Sequence, residues 1–371
     1  MDSSKVNVPP PIFENQGNKF YGELRAAVDE FFKQKGIKKT GDSRLYTKTT
    51  IIMVAVPLLM GLALFAGFPL WVSVVLFALV GVFHALAGFN IMHDACHGSF
   101  SSNGKVNNWF GNIMSLLGSH AFIWKTKHNV IHHTYTNVDG IDDDIAKIPA
   151  LRHCPTQPWK PALRFQHLYM MGLYAISSVF WMYVADFEKY FKRRVYTSDL
   201  PKFPLKEHVI FWTTKVAYTL VYVGLPVYML GWGPGLLCFF ALHVTLGIVL
   251  SCVFQMAHVV EKTHFVEANL NERVRIPQEW AVHQMATTAN FAPNSKFWTW
   301  FTGGLNFQVE HHLFPQISHV HYPDVRKIVQ QVAAKYNVPY LEYPTFREAF
   351  MSHVRFMRLL GSGQDIAVAH A

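Results

Sequence analysis

Residues 49–92 read TTIIMVAVPLLMGLALFAGFPLWVSVVLFALVGVFHALAGFNIM, without a single Asp, Glu, Lys or Arg. Gly67-Phe68-Pro69 breaks the run near its middle, so it reads as a helical hairpin. Each arm is about 20 residues, which at about 1.5 Å per residue matches a hydrocarbon core about 30 Å thick. A second hairpin fits 209–230 and 235–257, turning at Gly231-Trp232-Gly233-Pro234. Its one charge, Lys215, lies near an end, where a long side chain snorkels to the interface. Two hairpins give four transmembrane helices in an all-α membrane protein.

Composition agrees. The chain of 371 residues is 51% hydrophobic, 15% aromatic and only 15% charged, too apolar for an average soluble domain. The two turns carry no Lys or Arg, whereas 1–48, 93–208 and 258–371 are rich in them. The positive-inside rule puts both termini and the middle segment in the cytoplasm. Nine Lys or Arg among the first 48 residues, with no apolar core, argue against a cleaved signal peptide. The expected organisation is a cytoplasmic segment 1–48, a hairpin 49–92, a cytoplasmic or interfacial segment 93–208, a hairpin 209–257 and a cytoplasmic helical cap 258–371. Helices are expected near 21–35, 324–336 and 345–360, the last two started by Pro323 and Pro344.

Two apolar stretches remain. Residues 109–123 are too short to span and read as a re-entrant or interfacial helix. Residues 168–187 are long enough to cross, but crossing would put Lys189, Lys192, Arg193, Arg194, Lys202 and Lys206 outside, so the stretch is placed on the cytoplasmic surface or in the interface.

Four cysteines at 96, 154, 238 and 252 form no CxxC pair, which disfavours disulfide scaffolds, zinc ribbons, thiolate iron–sulfur clusters and c-type haem. The unusual feature is 20 His. The second span ends at His93-Asp-Ala-Cys-His97, and i and i+4 share one helix face. His128-Asn-Val-Ile-His132-His133 repeats the spacing, and Gln308-Val-Glu-His311-His312 adds a third cluster. All three fall on the side that the charge rule calls cytoplasmic. His258, at the end of the fourth span, matches the depth of His93; it is read either as a further ligand or as an interfacial His bonded to a carbonyl. His84 and His243 lie too deep to join and read as buried, hydrogen-bonded residues. His120, His264, His283, His319 and His321 have no paired spacing and default to surface or supporting positions.

Many imidazoles and almost no thiolate or carboxylate form a nitrogen-rich metal cage. One Glu-x-x-His, at Glu261–His264, is too few for a carboxylate di-iron bundle. There is no HExxH, no GxSxG and no dinucleotide fingerprint. Beside an apolar compartment, such a cage suits iron that activates dioxygen against a hydrocarbon, although imidazole also takes zinc or copper. A net charge of +9 favours lipid headgroups or an acidic partner; no nucleic-acid partner is expected.

HDACH, HNVIHH and QVEHH, with the longer phrases WKTKHNVIHHTYTNVDG (124–140) and FTGGLNFQVEHHLFP (301–315), resemble the membrane-bound fatty-acid desaturases over about residues 75–330. Gln308, where many relatives have His, looks like the acyl-lipid, front-end branch, which inserts a double bond between an existing one and the carboxyl end. The resemblance implies four spans and a di-iron site at the cytoplasmic surface beside a narrow acyl tunnel. It carries metal-ligand roles to His93, His97, His128, His132, His133, His258, His311 and His312, with Gln308 in the remaining box position. Asp94, Asn137, Glu310 and the run Asp142-Asp143-Asp144 are candidate orienting groups, the three Asp reading equally as a solvated turn or helix cap. It further implies two iron ions, dioxygen as co-substrate and a fatty acyl substrate carried on CoA or lipid. No His-Pro-Gly-Gly haem motif occurs, so electrons are expected from a separate ferredoxin or cytochrome, in keeping with a bacterial inner-membrane enzyme. The alternatives are a fatty-acyl or sphingolipid hydroxylase of the same chemistry and, more distantly, a metal transporter.

Overall fold

A computed structural model of the chain describes residues 11–14, 19–145, 148–267 and 274–364. They are mostly helical, and their strands are two-residue pairings that pin loops together. Five helices are long and apolar enough to cross a membrane: Ser43–Phe65, Leu70–Cys96, Pro161–Lys192, Leu205–Leu230 and Trp232–His258.

The first two form the expected hairpin. Asp42 caps the first by accepting from the Arg44 amide, and Gly67 turns the chain at φ 69, a left-handed value that favours glycine. Across the hairpin Ser73 Oγ donates to the Ala63 carbonyl at 2.7 Å. The second helix does not stop at Met92: it passes through a π-turn, Gly88–Met92, and runs on to Cys96, so His93 is rigidly part of it. The second hairpin turns at Gly231, φ 86, and Gly235 packs so closely that a Cβ would sit 2.6 Å from the Val227 amide nitrogen. The hairpins meet where Gly81 lies against the Leu242 carbonyl; a Cβ there would fall 2.1 Å from that oxygen. His93 and His258 therefore lie at the same end of the bundle, away from both turns.

The long helix Pro161–Lys192 packs against the second hairpin. Its Ser178 Oγ bonds His243 Nδ1 at 2.9 Å and its Tyr183 hydroxyl bonds Thr219 Oγ1 at 3.1 Å. His243 and Thr219 each lie twelve positions from Gly231 on opposite arms, so the middle of the long helix meets both arms at one depth. Near its start, Gln166 Nε2 donates to the Met357 carbonyl at 2.8 Å, and Tyr174 bonds His353 Nε2 at 2.8 Å. His353 Nδ1 in turn bonds the Val259 carbonyl at 2.7 Å, next to His258. Near its end, Lys189 Nζ meets Asp143 Oδ2 at 2.6 Å. Its start is thus tied to the C-terminal helix and its end to the segment after the second histidine box.

The stretch 109–123 is not one interfacial helix. It is divided among the helix Gly104–Gly111, the 3-10 turn Asn112–Leu117 and the short helix Ala121–Lys125. Gly118 breaks it at φ 73, where a Cβ would collide with Met182 Sδ. The helices expected near 21–35, 324–336 and 345–360 occur as Lys19–Lys35, Tyr322–Lys335 and Phe346–Ser362. Phe20, Leu24, Val28 and Phe32 pack on Val325, Val329 and Leu313, so the N-terminal helix closes the layer that carries the third histidine box.

Candidate metal centre

Each box is delivered by a local distortion or a short helix. His93 follows the π-turn of the second span, and His97 caps the same helix one turn on. The second box is itself π-wound over Thr126–His132. That winding changes the pairing: the i,i+4 spacing of His128 and His132 pointed to them as the facing pair, but His128 and His133, at i,i+5, bring their Nε2 atoms to 3.2 Å. His311 and His312 sit on the six-residue helix Gln308–Leu313, wholly inside the protein. His258 is the last residue of its span.

These elements bring all eight histidines together. Ring nitrogens of His93, His97, His128 and His311 lie within 4.8 Å of one another, as do those of His132, His258 and His312. His133 meets the same limit with His311 and His312, standing between the two groups. His93 Nε2 is 3.2 Å from His128 Nε2.

The outward-facing Nδ1 atoms are held by the protein. His132 Nδ1 faces Asp142 at 3.1 Å, His258 Nδ1 the Thr287 carbonyl at 3.3 Å, His311 Nδ1 the Tyr322 hydroxyl at 3.1 Å, and His312 Nδ1 Gln284 Oε1 at 2.9 Å. The inward Nε2 atoms of His97, His132, His258, His311 and His312 are buried with no hydrogen-bond partner. Buried polar atoms are costly unless satisfied, and converging imidazole nitrogens fixed from behind are the donor set that iron, zinc or copper takes. The residues fit a metal pair. Burial, and then the neighbouring imidazoles, hold His128, His133, His311 and His312 well below the ordinary pKa, in the neutral form that ligates. Burial would lower His132 too, but Asp142 and Asp144 beside it hold it above.

The expected orienting residues divide. Asn137 is central: at φ 57 its amide donates to Asp142, and its side chain donates to the carbonyls of His258 and His264 at 2.9 and 3.0 Å. Asp94 is hydrogen-bonded to no box imidazole; it accepts from Ser318 Oγ at 2.7 Å and meets His319 Nδ1 at 3.0 Å, tying the cap to the second span. Glu310 likewise bonds Asn290 and Tyr340, and burial pushes its carboxyl up to about 7. Asp142 bears on His132, while Asp143 pairs with Lys189. Gln308 is buried beside His258. Sequence reasoning missed Tyr322, Gln284 and Thr287, which lie 11 to 29 residues from the histidines they orient and carry no spacing signal.

His84 and His243 are buried and bonded to Tyr222 and Ser178, away from the cluster. His120 is buried against Phe203 and Phe211, and His283, His319 and His321 are buried within the cap; His264 is exposed. An elongated cavity of about 220 Å³ reaches His93 and His128 between Phe89, Met92, Leu250 and Phe254, with Ser177 and Ser178 of the long helix on its far wall.

The sequence profile of the family described as fatty acid desaturase matches residues 69–344. Among similar proteins, the sn-1 linoleoyl-lipid 6-desaturase of Synechocystis sp. is 35% identical over 340 residues, 91% of this chain and 94% of the relative. The sn-1 linoleoyl-lipid 6-desaturase of Arthrospira platensis is 30% identical over 91% of this chain and 92% of its own length. The acyl-lipid (8-3)-desaturase of Physcomitrium patens is 34% identical over 92% of this chain and 72% of its own length.

Proposed function

The chain belongs to the fatty acid desaturase family, and we propose on that premise that it is a front-end acyl desaturase, placing a cis double bond on the carboxyl side of one already present in a lipid-linked acyl chain. The observation that carries the reading is the set of five orphaned Nε2 atoms turned inward beside an apolar cavity. His93, His97, His128 and His311 would hold one iron and His132, His258 and His312 the other, with His133 within reach of both groups and Gln308 acting through His258. Bound iron supplies the redox chemistry by which dioxygen and two electrons remove hydrogen from unactivated methylenes.

The protein's part is positioning. Gln284, Tyr322, Asp142 and the Thr287 carbonyl fix the imidazole rings from behind, so each Nε2 keeps its aim. Phe89, Met92, Leu250 and Phe254 exclude water from the cavity and hold an acyl chain against His93 and His128, and the methylene presented there becomes the reacting one. Linoleoyl-lipid and acyl-lipid in the relatives' names support a lipid-linked rather than a CoA-linked chain.

Four of the five apolar helices are read as spans. The long helix Pro161–Lys192 is read as lying within one leaflet, supported by the bond of Gln166 near its start to Met357 of the C-terminal helix and of Lys189 near its end to Asp143. Both termini and the metal centre then face the cytoplasm, and a separate acidic ferredoxin or cytochrome delivers electrons to a bacterial inner-membrane enzyme. A transport reading is disfavoured by the pairing of the polar groups inside the bundle: His84 with Tyr222, His243 with Ser178 and Lys215 with Asp186.

Gas chromatography of fatty acids from a host expressing the chain and fed linoleic acid tests the reading. A new double bond between the carboxyl group and the existing pair is expected; a hydroxylated product, or action on saturated chains alone, overturns it.

A further inference from the structure

A second pocket lies where the start of the long helix meets the end of the helix Phe346–Ser362. It has a volume of about 510 Å³ and is lined by Trp159, Arg164, Phe165, His167, Leu168 and Arg358, with Ser362 at its edge. None of these residues belongs to the metal centre or to its cavity.

Its walls are pre-set. Gln166 Nε2 donates to the Met357 carbonyl at 2.8 Å, Arg152 Nη1 to the Leu360 carbonyl at 2.9 Å and Trp159 Nε1 to the Gly361 carbonyl at 2.7 Å. Gly361 sits so tightly on this junction that a Cβ would lie 2.6 Å from the Leu163 carbonyl. Two cations line the pocket without a counter-charge: among the described residues, neither Arg164 nor Arg358 pairs with a carboxylate. His167 Nδ1 is a buried atom with no hydrogen-bond partner.

The surroundings identify the medium. Leu168 is 70% exposed and Phe165 57%, and the same outward stripe continues through Ile176 and Phe180. A stripe of large apolar side chains on a helix that packs against membrane spans faces acyl chains, and its arginines then sit at headgroup level beside Trp159, the placement interfacial Trp and Arg take. Guanidinium groups recognise phosphate by charge-assisted, forked hydrogen bonds.

We propose that this pocket binds the phosphate of an anionic phospholipid from the surrounding leaflet, a lipid site separate from the acyl cavity. Arg164 and Arg358 clasp the phosphate, and Phe165 and Leu168 lie along the lipid's own chains.

The test uses the full chain in neutral detergent, titrated with dioctanoyl phosphatidylglycerol, dioctanoylglycerol or inorganic phosphate by microscale thermophoresis. Saturable binding of the phosphatidylglycerol alone is expected. The double variant Arg164→Gln/Arg358→Gln should bind it on the order of tenfold or more weakly, while Arg164→Lys/Arg358→Lys recovers part of the loss. Equal binding of inorganic phosphate would make the ligand a soluble anion, and equal binding of dioctanoylglycerol would remove the phosphate's role; either overturns the proposal. So does unchanged affinity in the Gln variant. If that variant elutes as aggregate, Arg358→Gln alone, expected to weaken binding severalfold, decides in its place, and wild-type affinity there refutes the site.

Discussion

Lys189 Nζ lies 2.6 Å from Asp143 Oδ2, one residue along from the Asp142 that holds His132. This ion pair fastens the far end of the helix Pro161–Lys192 to the second histidine box. With Gln166 bonded to Met357 near the other end, the helix is expected to lie within one leaflet. Cysteine introduced at Ser198, just beyond that helix, should therefore react with an impermeant maleimide only from the cytoplasmic side. Labelling from the opposite side would make the helix a span and invert everything after it.

Lys215 and Asp186 form a second ion pair, 5% and 1% exposed, with Lys215 also donating to the Gly118 and Met182 carbonyls. Breaking a buried pair on one side leaves an uncompensated charge, at about 3–5 kcal/mol. Asp186→Ala should therefore lower the thermal midpoint in detergent markedly, and Lys215→Met combined with Asp186→Leu should regain most of the loss. A double variant no more stable than the single one would show that the pair is not the cause.

Gln284 accepts at 2.9 Å from His312 Nδ1 and also meets Thr136. Replacing it by Leu leaves His312 Nδ1 with only the longer contact to Thr136 Oγ1 at 3.2 Å, and loss of such a partner costs roughly 10–100-fold in metal affinity. Competition with a chelator at fixed pH measures this directly. Wild-type retention of metal in Gln284→Leu would exclude an orienting role.

Gln308 lies buried beside His258. An amide both donates and accepts, whereas imidazole carries one ring N–H and one lone pair when neutral. Gln308→Ala should reduce turnover strongly, and Gln308→His should not restore it, because one imidazole does not reproduce the paired donor and acceptor of the amide. Full activity of Gln308→Ala would make the residue a bystander.

The apolar hairpin helices and the clustering of the eight histidines were legible because their signals are local: an uncharged run of hydrocarbon-spanning length, and boxes with short repeats. What stayed hidden depends on geometry that one-dimensional spacing does not encode. The π-winding of Thr126–His132 brings His133 as well as His132 against His128. The break at Gly118 arises from its contact with Met182, 64 positions away. The partners of His311, His312 and His258 come from Tyr322, Gln284 and Thr287 on separate helices or their ends, which only the closed cap brings near. Asp94 and Glu310 looked like orienting groups because they sit inside boxes, yet their side chains point away from the rings and brace the cap instead.

The most direct test is the iron content of the purified chain, with His97→Ala and His258→Ala as representatives of the two ligand groups. The account predicts about two irons per wild-type chain and a clear loss in each variant, since a nitrogen-rich site weakens with every imidazole removed. One iron or none in a fully reconstituted wild type, or wild-type content in both variants, would contradict it.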